Sequence, residues 1–327
     1  MECSAADYSK ASTSPSQPVI TLADSAFLVP PRSTFSSTSA MSKSQKAPRF
    51  LTTAPPPHGP HLVLSYPGKH ILQLTLNRPR SLNAMTDDLK EDIGRVMDWF
   101  EAESSLWVVI VTGTGRAFCA GQDLKNWKKK QDAGSRREAE EMAEDTNGFG
   151  SLARRRCVKP IVAAVNGIAM GGGVEILMNC DLVVASRDAK LGLPEVKRGV
   201  VAAAGGIPRL QRIAGHQFAA ELLLTGRTIT AEEAHTKYRF VTSVVPPSQV
   251  LSTAINLAKE IVLNSPDAVW STKKALLDGQ QYASLEEAVI KHNLSEESKR
   301  VYRGENIREG LAAFGEKRKP VWANPKL

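Results

Sequence analysis

The hydrophobic and polar positions change character along the chain. Residues 1–60 show neither a two-residue nor a 3.6-residue period, and Ser33 to Ser42 and Pro55-Pro56-Pro57 typify their Ser, Thr, Pro and Ala content. A disordered or targeting segment is expected there. From His61 the pattern tightens: His61–Tyr66 and His70–Leu76 read as two short strands around Pro67-Gly68. Thr86–Glu101 sets Leu89, Ile93, Val96 and Met97 on one helical face, with Thr86 as the N-cap. The apolar run Trp107–Thr112, ending at Gly113, predicts a buried strand. A charged helix is expected over 134–157, a strand over Pro160–Val165, a helix over Gly173–Cys180 and a strand over Asp181–Ala185. Gln217–Leu224 reads as helical, and Thr230-Ala231-Glu232-Glu233 is a capping box opening the next helix. Beyond Leu251 helices dominate, Leu285–Ser298 and Asn306–Phe314 among them. Strands alternating with helices predict an α/β core over 61–250, then a helical region over 251–327.

Composition narrows the class. About 260 residues follow the leader, ample for a real core, and 42% hydrophobic with 23% charged residues is ordinary for a globular protein. The net charge of +8 gathers in Lys128-Lys129-Lys130, Arg154-Arg155-Arg156 and Lys317-Arg318-Lys319. Such runs suit solvated faces or a phosphate-bearing ligand. No RNA-binding motif accompanies them, so no nucleic-acid partner is expected. Cys3, Cys119, Cys157 and Cys180 lack paired spacing and read as reduced thiols; the histidines lack metal-ligand spacing, so no metal is expected. The most apolar stretch, Ile161 to Ala185, carries Asn166, Glu175, Asn179 and Asp181, which argue for a core strand-helix-strand over a membrane span.

The chemistry concentrates in Val165-Asn166-Gly167-Ile168-Ala169-Met170-Gly171-Gly172-Gly173-Val174-Glu175. It reads as a strand, three glycines and a carboxylate on the first turn of a helix. Glycines leave backbone N–H groups open, and a helix start adds unpaired N–H groups and the positive dipole end. Such a place can hold a negative oxygen, with Glu175 beside it to move a proton. The same residues also read as a Gly-rich helix start whose N-terminus Glu175 merely favours. Three further segments share this two-sided character: Leu76-Asn77-Arg78-Pro79 with Asn83-Ala84-Met85, Gly115 to Leu124, and Leu191-Gly192-Leu193-Pro194-Glu195-Val196.

Together, and in this order, the four segments resemble the enoyl-CoA hydratase/isomerase family, the crotonase-like proteins, from about His61 to Pro320. The resemblance implies a spiral of strand-strand-helix repeats, with C-terminal helices that join homotrimers, commonly paired into homohexamers. It implies an oxyanion hole from the backbone N–H groups of Gln122 and Gly172, and catalysis by Glu175, activating water, and Glu195, delivering a proton. It places the CoA portion of the substrate against Ala120, Gln122, Asp123, Leu124 and Gly171, with Lys317 reaching a CoA phosphate, of its own or of a neighbouring subunit. No cofactor beyond the CoA of the substrate is implied. The activity expected is hydration of 2-trans-enoyl-CoA to 3-hydroxyacyl-CoA; the alternatives are a 3,2-enoyl-CoA isomerase and, in another class, an RNA-binding relative.

Two departures stand out. Ala202 occupies a place where hydratases usually carry proline, close to the acyl pocket of relatives, and Lys237-Tyr238-Arg239-Phe240-Val241 lacks the glycine that normally ends its helix. That helix is expected to terminate without a left-handed residue. The final Pro325-Lys326-Leu327 resembles a relaxed peroxisomal address, so a peroxisome is expected ahead of the mitochondrion or cytosol.

Overall fold

The computed structural model describes residues 47–132, 134 and 138–326. Most of the expected leader, and Leu327 of the C-terminal address, lie outside them. Strands β1 (Leu62–Gly68) and β2 (Ile71–Leu76) lead into helix α1 (Asp87–Ala102). Strands β3 (Val108–Gly113) and β4 (Ala117–Cys119) lead into α2 (Leu124–Asp132) and α3 (Glu138–Glu144). Strands β5 (Ile161–Val165) and β6 (Ile168–Met170) lead into α4 (Gly172–Leu177). Strands β7 (Leu182–Ser186) and β8 (Lys190–Gly192) lead into α5 (Gly206–Ala214) and α6 (His216–Thr225). After β9 (Thr228–Thr230), α7 (Ala231–Thr236) and β10 (Ser243–Val245) the chain is helical. That region comprises α8 (Val250–Val262), α9 (Pro266–Gly279), α10 (Leu285–Asn293), α11 (Glu296–Arg303) and α12 (Glu305–Gly315).

The strand pairs β3 and β4, β5 and β6, and β7 and β8 each give one strand to each of two sheets. Among the described residues the larger sheet runs β1-β2-β3-β5-β7-β10 and the smaller β4-β6-β8-β9. The pairs β2-β3, β3-β5, β5-β7, β4-β6 and β6-β8 are parallel, so the carboxyl ends of β4, β6 and β8 lie side by side. Loops leaving such ends are where open α/β sheets bind ligands.

Two-residue alternation sorts the side chains of the larger sheet. Val109 and Val111 share a core with Leu89, Ile93, Val96 and Phe100 of α1. Val108 and Ile110 turn to the other face and meet Val250, Ala254 and Ala258 of α8. Covered on both faces, β3 carries apolar residues at successive positions, as the sequence suggested. Thr86 caps α1, its side chain accepting from the Leu89 N–H at 3.4 Å. Buried Lys159 closes the other end, donating to the carbonyls of Phe100, Glu103 and Leu106 at 2.7, 2.8 and 2.9 Å.

Several boundaries differ from expectation, each for a local reason. Residues 47–60 are no free leader: Phe50 and Leu51 pack on the core, and the Thr52 and Thr53 hydroxyls each donate to the buried Glu103 carboxylate at 2.6 Å. The helix expected over 134–157 ends at Glu144, because Asp145 Oδ1 accepts from the N–H groups of Asn147 and Gly148 at 3.1 and 2.9 Å. A short polar side chain that satisfies backbone donors this way favours a turn over another helical turn. Leu285–Ser298 is two helices, since Ser295 leaves the first and caps the second through the Ser298 N–H at 3.2 Å. The capping box of α7 is present. Its end does use a left-handed residue: Arg239 takes φ 59°, while the Tyr238 and Phe240 N–H groups return to Glu233 and Ala234 carbonyls at 3.0 and 3.2 Å. No helix among the described residues is long and apolar enough to cross a membrane.

Candidate active site

The carboxyl ends of β4, β6 and β8 open onto a cleft of about 620 Å³. Three segments meet in it: Ala120 to Leu124 after β4, the start of α4 after β6, and the turn bearing Pro194 and Glu195 after β8. The first is held by a single parallel bridge. The Met85 N–H donates to the Gly121 carbonyl at 2.8 Å, and the Asp123 N–H donates to the Met85 carbonyl at 2.9 Å. Backbone groups alternate in direction along an extended segment, so the Gln122 N–H points away from Met85, to the cleft side. Only glycine fits before it. Gly121 has φ +90°, and a Cβ there would fall 2.9 Å from the Met170 carbonyl oxygen and 3.7 Å from the Gly172 nitrogen.

Gly171 caps α4 at φ 56°, and its carbonyl accepts from the Val174 and Glu175 N–H groups at 2.8 and 3.1 Å. The N–H of Gly172, in the first turn, has no carbonyl four residues back to bond. Gly172 also packs under an aromatic ring: a Cβ would lie 2.4 Å from the Phe149 ring. The Gln122 and Gly172 amides thus sit on adjoining strand ends at one cleft. Two donors aimed at one oxygen can take up negative charge developing on it.

The carboxyls approach from two directions. Glu175 is buried, at 4% exposure, and its Oε1 accepts from the Gly206 N–H at 2.9 Å. Burial pushes its pKa up to about 7; the N–H groups of Gly206 and Ala204 and the Arg209 charge pull the other way, while the Glu195 charge adds to the rise. Glu195 is raised as well, chiefly by burial. Its Oε2 is buried without a hydrogen-bond partner among the described residues. Its Oε1 lies 3.1 Å from where a Gly171 Cβ would stand, so it faces the start of the helix that carries Glu175. Neighbouring carboxyls in a site of this kind hold one proton between them more readily than none.

Of the other expected site residues, Ala120, Gln122, Leu124 and Gly171 line the cleft. Asp123 does not: its side chain pairs with Arg78 at 3.1 Å and so steadies the loop from behind. Lys317 does not line the cleft of its own chain, since it follows α12 at φ 55° and is exposed. Ala202 is buried, while its neighbours Val201 and Ala203 form part of the wall. Cys119, Cys157 and Cys180 are free, and burial pushes each thiol up to about 12, which keeps them protonated and unreactive.

Four contributors escaped the sequence reading. Gly206 orients Glu175, Phe149 roofs Gly172, and Lys90 and Asp145 form an ion pair in the cleft wall at 2.6 Å. The signal for the first two was faint but present, in Gly205-Gly206 at a helix start and Gly148-Phe149-Gly150. The ion pair joins residues 55 positions apart and left no local trace.

Residues 68–325 match the model of the enoyl-CoA hydratase/isomerase family. The chain is 45% identical to a mevalonyl-coenzyme A hydratase of Aspergillus fumigatus, over 81% of this chain and 96% of that protein. A mevalonyl-coenzyme A hydratase of Beauveria bassiana is 42% identical, over 84% of this chain and 99% of that one. The crystal structure of an enoyl-CoA hydratase from Mycobacterium tuberculosis superposes with a TM-score of 0.72 at 34% identity, covering 81% of this chain and all of that one.

Proposed function

Because the chain belongs to the enoyl-CoA hydratase/isomerase family and has the crotonase fold, we propose that it adds water reversibly across the 2,3 double bond of enoyl-CoA thioesters, giving 3-hydroxyacyl-CoA. One observation carries this: two carboxyls, the buried Glu175 and the half-buried Glu195, line the same cleft as Gln122 and Gly172. In the reaction the thioester oxygen accepts both N–H groups and takes the electron pair released as water attacks C3. The carboxylate of Glu175, aimed by Gly206, takes the proton of that water, and the carboxyl of Glu195 gives a proton to C2. Shifting a double bond needs the enolate and one base; the second carboxyl favours hydration.

For the acyl group, the likeness to two mevalonyl-CoA hydratases supports a short, branched thioester related to mevalonyl-CoA. Mevalonyl carries hydroxyls on C3 and C5, and the one on C3 stands where the added oxygen of a hydration would. The CoA portion lies along Ala120, Gln122 and Leu124. Leu294, Leu311 and Phe314, exposed on or beside the C-terminal helices at 66%, 69% and 86%, support trimer formation, which would bring Lys317 to a neighbour's CoA phosphate. The C-terminal tripeptide supports a peroxisomal location; fused to a fluorescent reporter, it should give punctate signal, and a diffuse one would refute the address.

Loss of the conjugated enoyl thioester, followed with the purified protein over straight and 3-methyl-branched 2-enoyl-CoAs, tests the reaction. Turnover of the branched substrates at the higher kcat/KM is expected. No consumption of any enoyl-CoA would refute the proposal.

A further inference from the structure

The Lys90–Asp145 ion pair, its side chains 39% and 23% exposed, stands in the wall of the acyl cleft. An alkyl chain laid beside it would strip water from both charges and offer nothing in return. Both halves are nonetheless fixed. Lys90 sits on α1, one turn after the cap, and its carbonyl accepts from the Ser151 hydroxyl at 3.1 Å. Asp145 ends α3 with its Oδ1 committed to the Asn147 and Gly148 N–H groups and its Oδ2 to Lys90 Nζ at 2.6 Å. The turn that follows Asp145 leads to Phe149, whose ring covers Gly172. The pair therefore lines the same cleft as the thioester-binding amides, on the side of α1 and α3.

An ammonium has three N–H bonds. Asp145 takes one, and Lys90 Nζ shows no second partner among the described residues. Two donors beside a carboxylate suit a ligand group that both accepts and donates. A hydroxyl does both. A distal carboxylate would meet Asp145 as a like charge, and a methyl would satisfy neither. In an extended acyl chain C5 lies about 5 Å from the thioester carbon, from ordinary C–C lengths, and the pair lines the same cleft as Gly172 and the Phe149 ring that covers it. Met85 and Met142 line the cleft nearby and leave apolar room for a branching methyl.

We propose that Lys90 and Asp145 are the specificity determinant of the cleft, Lys90 donating to, and Asp145 accepting from, a hydroxyl on C5 of the acyl group. This rests on the hydratase reading above and selects, within it, the dehydrated partner of mevalonyl-CoA, 5-hydroxy-3-methylpent-2-enoyl-CoA.

The test compares kcat/KM for that thioester with the value for 3-methylpent-2-enoyl-CoA, which differs only by the hydroxyl. The parent protein should prefer the hydroxylated substrate about ten- to hundredfold, the range for a hydrogen bond to a charged group. In Lys90→Met the ratio should fall towards unity, and Lys90→Arg should retain part of it. Asp145→Asn, which keeps an acceptor for the Asn147 and Gly148 N–H groups, should also lower the ratio and gives the answer if Lys90→Met loses all turnover. Equal use of both thioesters by the parent, or a ratio unmoved in the variants, would overturn the assignment and leave the hydratase reading intact. Failure of the parent to hydrate either would refute both.

Discussion

The Gly206 N–H donates to Glu175 Oε1 at 2.9 Å, and a Cβ built on Gly206 would stand 2.9 Å from that same oxygen. The glycine that starts α5 therefore both aims the carboxylate and leaves it room. Arg209, one turn on, donates to the Ala153 carbonyl at 2.5 Å and the Asn179 side chain at 2.6 Å, which anchors the helix start. Gly206→Ala should push the Glu175 carboxyl off its line. Misplacement of a reacting group by about 1 Å costs on the order of a hundredfold, so kcat should fall by that amount with KM little changed. Steady-state kinetics beside an unchanged circular dichroism spectrum would check it.

Glu175→Gln and Glu195→Gln should each lower kcat by about 10²- to 10⁴-fold, the usual contribution of a positioned acid or base. Because burial raises both groups, the pair holds a proton to higher pH than free carboxyls do, and one proton is what opposite roles require. The rate should rise as pH rises towards about 7, where Glu175 loses its proton and becomes the base, and fall at higher pH as Glu195 gives up the proton it must deliver. A pH profile of kcat flat from about 6 to 9 would count against the shared proton.

The same burial has a stability cost with a definite sign. A carboxyl raised from its ordinary 4.5 to about 7 binds its proton more tightly folded than unfolded. The resulting stability is complete below 4.5 and is lost as pH rises through 7. Glu175→Gln carries no such loss. Denaturant titrations should show its stability relative to the parent improving by about 3 kcal/mol from acid to mildly alkaline pH, at 1.36 kcal/mol per pKa unit.

Much of the architecture was legible in the sequence because it rests on short-range rules. Thr86 capping α1, the apolar run of β3 and the Thr230–Glu233 box each need only a few neighbouring residues. The site was legible where glycines and acids lie close to a strand end, at Gly121, Gly171 to Glu175 and Glu195. Interactions joining distant positions were hidden. Asp123 points to Arg78, the Lys90–Asp145 pair spans 55 positions, and Glu103 binds Thr52 from 51 positions away. Arg239 misled for another reason: the left-handed end was required by the backbone, and a non-glycine accepts its strain there.

Glu103 fastens residues 47–60 to the core. Burial alone would raise its pKa, but the hydroxyls and N–H groups of Thr52, Thr53 and Ser105 prevail and hold it down at about 2. Here the stability is present above the ordinary 4.5 and is lost as pH falls through 2. The double variant Thr52→Ala, Thr53→Ala should lose about 2 kcal/mol at neutral pH. The difference from the parent should shrink as the pH approaches 2, as followed by denaturant unfolding. A constant difference across the acid range would mean that packing, and not the carboxylate, holds the segment.

The central claim is that paired acidic side chains deliver water to C3 while two peptide amides hold the thioester oxygen. Its most direct test is incubation of an enoyl-CoA with the protein in ¹⁸O-labelled water, with Glu175→Gln and Glu195→Gln in parallel, and mass spectrometry of the product. The account predicts one heavy oxygen at C3 with the parent protein and almost none with either variant. Product free of label, or label entering at an undiminished rate in either variant, would contradict it.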